Sequence, residues 1–212
     1  TTKRSISNTE LPYCEEHPHT PNNTQNMKIK TILLGDRCTG KSHLLSHIRT
    51  TPTKHMYIPT IGVDVVAYSK SGTTLQVWDT SGSKKFQAVT RSFLRGASLC
   101  IIVYNSKRSL AKVASYISTV DMLCERDYRT FIVCLSSDED IVYDGEMIAT
   151  RNRIPFYQCD PFERVHSIGF WHDVMHRCES YVNNNGWKVD IDTPTMTIHR
   201  PRGLWDKLCF WR

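Results

Sequence analysis

The sequence predicts an α/β fold: a doubly wound, mostly parallel sheet with helices on both faces and one antiparallel hairpin strand. Three observations predict it. Short apolar runs alternate with stretches whose apolar residues recur at helical spacing, the pattern of strands joined by crossover helices. Two runs, Leu99 to Tyr104 and Phe131 to Leu135, are continuously apolar, as strands buried on both faces are. A third apolar run, Ile29 to Leu34, leads into Gly35-Asp36-Arg37-Cys38-Thr39-Gly40-Lys41-Ser42, after which Leu44, Leu45 and Ile48 keep helical spacing. That string fills every fixed place of G-x-x-x-x-G-K-S, the phosphate-binding loop (P-loop) pattern.

Residues 1–26, rich in Thr, Asn, Pro and His, hold too little apolar surface to offset ordering entropy and read as a flexible lead. After the first strand, loop and helix comes a polar loop from Thr50 to Pro59. Ile61, Val63, Val65 and Ala67 then alternate as the inward face of a half-buried strand. Ser71-Gly72 marks a turn, and Thr73 to Trp78 returns as the hairpin partner. Lys84 to Leu94 reads as a short, irregular helix. Between the two continuous runs, Leu110, Val113, Ala114, Ile117, Val120 and Cys124 mark one helical face. A short helical piece around Glu146 to Arg151 precedes a strand from Ile154 to Cys159. Val165, Ile168, His172, Met175 and Val182 give the last helix its buried stripe. The organisation is then a lead (1–26), one domain (27–183) and a C-terminal extension (184–212).

A length of 212 residues suits one domain with tails, since domains run to about 100–200 residues. The net charge of +6 is not gathered into a long basic run, so nucleic acid is not an expected partner. The eight cysteines include no C-x-x-C pair, and several lie inside apolar runs as small hydrophobes, which favours a reducing, cytoplasmic compartment. No apolar run approaches the ~20 residues of a membrane span.

The phosphate loop carries a definite chemistry. Backbone N–H groups from Gly35 to Ser42 and the helix N-terminus face an anion, Lys41 reaches the outer phosphates, and the Ser42 hydroxyl suits Mg²⁺. Further strings make the chain similar to the Ras superfamily of small GTPases, closest to the Rab branch, over roughly residues 27–183. Tyr57-Ile58-Pro59-Thr60-Ile61-Gly62-Val63-Asp64 resembles the Rab effector loop, and Leu75-Gln76-Val77-Trp78-Asp79-Thr80-Ser81-Gly82 the third motif. Arg95-Gly96-Ala97 and Ile102-Val103-Tyr104 match two further Rab segments, and Thr60 lies eighteen positions after Ser42, as in the family.

The resemblance implies Mg²⁺ and GTP or GDP as cofactor and ligand. Ser42 and Thr60 would ligate the metal, Asp79 would hold a metal-bound water, and the Gly82 N–H would meet the γ-phosphate. Lys41, Thr60, Gly82 and Ser83 would surround the reacting phosphate, and Asp138 would read the base. Because Thr60 and Gly82 sit on two loops, loss of the γ-phosphate would release both. Rab-type effectors and regulators would bind those loops.

The departures from the family bear on activity. Ser83 stands where the family has the glutamine that orients the attacking water. Arg37 and Cys38 fill positions usually held by small residues. Leu135-Ser136-Ser137-Asp138 replaces Asn-Lys-x-Asp, and Asp160-Pro161-Phe162 replaces Ser-Ala-Lys, where Pro161 has no N–H to give. Thr53 takes the place of the aromatic that packs on the base. Glu139 and Asp140 read as a solvated loop, and His172 and His176, four apart, as surface histidines without a third zinc ligand. Cys209 is fourth from the end, but Phe210, Trp211 and Arg212 are poor prenylation residues. The aromatic tail therefore leaves two alternatives: peripheral contact with an intracellular membrane, or folding back on the domain. Two functions remain open, a Mg²⁺-dependent nucleotide switch with slow or defective hydrolysis, or a pseudo-GTPase binding module that does not cycle. The effector loop and third motif speak against a small-substrate kinase.

Overall fold

The chain is described by a computed structural model over residues 27–49, 59–70, 72–124, 127–160, 162–183 and 196–197. The first apolar run forms β1 (Met27–Leu34), which lies between β3 (Thr73–Thr80) and β4 (Leu99–Tyr104), parallel to both. β2 (Val63–Lys70) pairs antiparallel with β3, from Val63 opposite Thr80 to Lys70 opposite Thr73. β5 (Arg129–Cys134) and β6 (Phe156–Gln158) extend the parallel set beyond β4. A two-residue strand, β7 (Met196–Thr197), lies parallel to β6, giving the order β2-β3-β1-β4-β5-β6-β7. β1 is thus flanked by β3 on one side and β4 on the other, and the chain crosses over it between these two strands, so the crevice at its carboxyl end, where the phosphate loop begins, is the switch point at which such sheets bind ligands.

Side chains alternate along the buried strands and build two cores. Ile29 and Leu33 of β1 and Ile101 and Val103 of β4 meet α1 (Lys41–Ser46) and α6 (Arg164–Asn183) on one face. Ile32 and Leu34, with Cys100 and Ile102, face the opposite core. There they meet Leu94, which ends α2 (Gln87–Phe93), and Leu110 of α3 (Lys107–Leu110). α4 (Val113–Leu123) adds Val113, Ile117 and Val120, and α5 (Glu139–Asn152) adds Ile141 and Ala149. The irregular stretch after β3 resolves into a 3-10 turn, Lys84–Phe86, followed by α2.

Four expectations need correction. On β2 the inward residues are Val66 and Tyr68, while Val65 and Ala67 face solvent and Ile61 is 83% exposed. This strand carries apolar residues in both phases, and its partner decides: Val66 stands opposite Val77 and Tyr68 opposite Leu75, the buried residues of β3. On α6 the buried stripe is Ser167, Phe170, Trp171, Val174, Met175 and Cys178, with Val165 77% exposed. The Phe170–Trp171 aromatic pair sets the phase, since its area outweighs that of Val165 and Ile168. His172 and His176 lie on the exposed side, and the side chain of Val182 falls outside the described residues. α5 begins at Glu139 rather than near Glu146, because Asp138 caps it and Glu139 and Asp140 place negative charge in its first turn. Ala114 is exposed, and Leu110 belongs to a separate short helix.

Two contacts fix the helices closely. Gly145 of α5 rides directly on Tyr104: a Cβ there would lie 1.6 Å from the phenol oxygen, which donates to the Ile141 carbonyl at 3.2 Å. The indole N–H of Trp171 donates to the Leu44 carbonyl at 2.9 Å, anchoring α6 on α1 behind the phosphate loop. Among the described residues no helix is long and apolar enough to cross a membrane. Replacing Trp171 by Phe leaves that carbonyl without its buried donor and should lower unfolding stability by about 1–3 kcal/mol in a urea titration.

Candidate functional site

Gly35 (φ 145°), Cys38 (φ 59°) and Gly40 (φ 91°) wrap the loop between β1 and α1 around the Lys41 side chain. Lys41 is only 6% exposed, and its ammonium donates to the Gly35 carbonyl at 2.9 Å, the Asp36 carbonyl at 2.7 Å and Thr39 Oγ1 at 3.4 Å. Burial pulls its pKa down to about 8, against the opposing pull of Asp79, Asp36 and Cys38. Thr39 is itself buried and donates to the Asp36 carbonyl, closing the loop on itself.

Beside the ammonium, three oxygen-bearing side chains converge from three elements. Ser42 Oγ donates to Asp79 Oδ2 at 2.5 Å, and Thr60 Oγ1 lies 3.1 Å from Ser42 Oγ and 3.4 Å from the same carboxylate oxygen. Asp79 is 1% exposed; burial raises its pKa, while the Ser42 bond and Lys41 oppose the rise. Its second oxygen, Oδ1, is buried with no hydrogen-bond partner. One carboxylate with a spare lone pair and two hydroxyls make an all-oxygen set suited to Mg²⁺, a hard cation that keeps several waters and phosphate oxygens of its own.

Gly82 brings the third-motif loop onto the phosphate loop. A Cβ at this position would lie 2.2 Å from the Asp36 carbonyl carbon and 2.4 Å from the Arg37 nitrogen, so only glycine permits the approach. Ser83 follows in extended conformation at the start of the 3-10 turn, and its side chain makes no capping bond. Arg37 and Cys38 are exposed. The structure thus gathers Gly35, Asp36, Arg37, Cys38, Thr39, Gly40, Lys41, Ser42, Thr60, Asp79 and Gly82 in one crevice.

Three supporting residues escaped the sequence reading. The Asp36 carboxylate is ion-paired with Lys112 and accepts from the Tyr116 hydroxyl at 3.0 Å, which ties the phosphate loop to α4. Asn105 Nδ2 donates to the Cys38 carbonyl at 2.8 Å. Asn105 directly follows β4, so a polar residue at the carboxyl end of a buried parallel strand was the available signal. Lys112 and Tyr116 gave none, because their partner is 76 and 80 residues away.

The base side is built differently. Asp138 Oδ1 accepts from the backbone N–H groups of Asp140 and Ile141, so the carboxylate caps α5. Leu135 is buried against the loop, its Cδ1 2.8 Å from where a Gly40 Cβ would stand. Phe162, 83% exposed, meets the His43 ring at 5.1 Å between centroids. Thr53 and Pro161 lie outside the described residues.

Comparison with known proteins agrees with this geometry. The family model described as "Ras of Complex, Roc, domain of DAPkinase" matches residues 30–138, from β1 through the helix-capping aspartate. The chain is similar to the Ras-related protein SEC4 of Candida albicans, at 28% identity over 150 residues, 66% of this chain and 71% of that protein. It is similar to the Ras-related protein RIC1 of Oryza sativa subsp. japonica, at 32% over 141 residues, 61% of this chain and 70% of the relative. With the Ras-related protein Rab-10 of Caenorhabditis elegans it shares 28% over 159 residues, 70% and 79% of the two chains. The strand order, the phosphate loop and these relatives agree, and the chain belongs to the Ras superfamily of small GTPases as a Rab-like member.

Proposed function

We propose that this Rab-like protein is a Mg²⁺-dependent nucleotide switch with slow hydrolysis and weak guanine selectivity. The observation that carries the reading is the convergence of Ser42, Thr60 and Asp79 oxygens beside the buried Lys41 ammonium. Ser42 and Thr60 would hold Mg²⁺, with Asp79 orienting a metal-bound water; the ion would neutralise phosphate charge. Lys41, already fixed by loop acceptors, would present its charge to the outer phosphates by exchanging one of its three loop contacts for a phosphate oxygen. Thr60 and Gly82 belong to separate loops that both reach the phosphate loop, so contact with a terminal phosphate would couple them and its loss would release them. Effectors and regulators of Rab type would then sense those two loops.

Hydrolysis is slow in this reading because Ser83 lacks the reach to orient a water. Single-turnover measurement on GTP-loaded protein should give a rate below that of small GTPases carrying glutamine there. Ser83→Gln should raise it; a parent rate equal to those proteins would contradict the reading.

A second reading, a binding module that does not cycle, draws on the base side. There Asp138 is engaged by its own helix and Leu135 stands where the family has asparagine. The changes at Thr53, Leu135 and Pro161 together cost roughly 2–6 kcal/mol, or about one to four decades of affinity for the base. The Phe162 ring beside His43 supplies a stacking surface that does not discriminate between bases. Titration with GTP and ATP, each with Mg²⁺ and with chelator, separates the readings. The switch predicts Mg²⁺-dependent binding of both nucleotides with similar affinity, abolished by Lys41→Ala and by Ser42→Asn. Parent and variants that bind alike, or not at all, support the module. Tight GTP binding that rejects ATP contradicts weak selectivity.

Nucleotide affinity should also depend on pH through Lys41, whose pKa stands at about 8 rather than 10.5. A neighbouring phosphate raises it again, so above about pH 8 binding must take up a proton. Affinity should be level below that pH and fall above it by up to about tenfold per unit. Stability without nucleotide moves oppositely, with Lys41 adding to it as pH climbs from about 8 towards 10.5. Titrations across this range check both signs.

A further inference from the structure

We propose that Cys100 and Cys124 form a peroxide-oxidisable dithiol that closes to a disulfide between β4 and the end of α4. This goes beyond the nucleotide reading and stands independently of it. The two sulfurs lie 3.6 Å apart, in direct contact. Closing to the ~2.05 Å bond length of a disulfide needs a movement of only about 1.5 Å. Cys124 is placed to make it. It is the residue that ends α4, with extended backbone (φ −76°, ψ 142°), while its N–H remains bonded to the Val120 carbonyl at 2.8 Å.

The two thiols are unequal, as a reactive pair must be. Cys100 is wholly buried in the sheet, whereas Cys124 is partly exposed and is the sulfur an oxidant can reach. The hydrogen bond from Cys100 holds the Cys124 thiol below its ordinary pKa, and the Lys30 ammonium acts in the same direction; burial and Asp121 oppose them. The Cys100 thiol is held well above its ordinary value by its bond to Cys124 and by burial. Lys30 is itself fixed nearby, donating to the Arg95 carbonyl at 2.7 Å and lying 5.0 Å from the Trp78 ring centroid.

The chemistry balances with hydrogen peroxide as oxidant. The Cys124 thiolate attacks one peroxide oxygen, the O–O bond breaks, and the departing hydroxide takes up a proton as water, leaving a sulfenic acid. The Cys100 sulfur then attacks the Cys124 sulfur, the S–O bond breaks, and the second hydroxide leaves as water with the Cys100 proton. The two sulfurs lose two electrons in total and peroxide gains them. An external dithiol reverses the change by exchange.

Oxidation also reaches the end of α2. The Cys124 thiol donates to the Leu94 carbonyl at 3.6 Å, and Leu94 caps α2, the helix that follows the third motif. A disulfide has no S–H, so closure withdraws this donor from the turn that ends α2.

Peptide mapping of the full chain tests the proposal. Trypsin places the two residues in separate peptides, Gly96–Lys107 and Val113–Arg126, each with a single cysteine. Brief treatment with hydrogen peroxide, then alkylation, should link these two peptides with loss of two hydrogens, reversed by dithiothreitol. In Cys100→Ser the resolving thiol is gone, and dimedone should label Cys124. Amide exchange over Gln87–Leu94 should quicken several-fold in the oxidised chain. The proposal is overturned if the exposed Cys38 is oxidised while the two peptides stay unlinked, or if dimedone leaves Cys124 unlabelled in Cys100→Ser. Unchanged exchange in α2 would overturn the link to that helix.

Discussion

An ammonium group held out of water sets the terms for the upper edge of this sheet. Lys41 cannot be buried unless its charge is answered, and here the Gly35 and Asp36 carbonyls and the Thr39 hydroxyl answer it. Those acceptors point inward only because the loop turns through left-handed backbone at Cys38 and Gly40. The turns are held in place from outside: Asn105 grips the Cys38 carbonyl, while Lys112 and Tyr116 grip the Asp36 carboxylate. Asp79 completes the setting as a second buried charge of opposite sign. Neutral carbonyls satisfy an ammonium incompletely, and the proposed anionic ligand would complete its setting.

How much of this was legible depended on how far each residue's partner lay along the chain. The loop string, the two continuous apolar runs and the hairpin turn are local signals, and the strands and helices they imply are present. Ser42, Thr60 and Asp79 were identified because their motifs are local, although the convergence of their side chains is not. The misplaced faces have one cause. β2 offers apolar residues in both phases, and α6 offers both Val165–Ile168 and Phe170–Trp171; only the partner surface selects between them. The start of α5 was hidden because Asp138 was read for recognition of the base, whereas its oxygen first satisfies two backbone donors.

The two ends of the crevice follow different rules. At the phosphate end the residues satisfy each other through short polar contacts, and any substitution there disturbs several partners. At the base end, Leu135 contributes packing against Gly40, and Phe162 and His43 contribute ring surface. Under the proposed function, polar recognition there gives way to shape and apolar contact. A nucleotide-binding fold tolerates this because the phosphates supply charge-based affinity that does not rely on reading the base.

The contact of Gly145 with Tyr104 bears on the order in which this chain can change over generations. A single methyl at position 145 would overlap the phenol oxygen at 1.6 Å and approach Cζ to 2.5 Å. Tyr104 is buried at the centre of the sheet and cannot swing aside. A lineage that enlarges residue 145 must first shrink residue 104, and the opposite order passes through an overpacked intermediate. Aligned descendants should therefore show the two positions moving together, with the strand residue always the first to change.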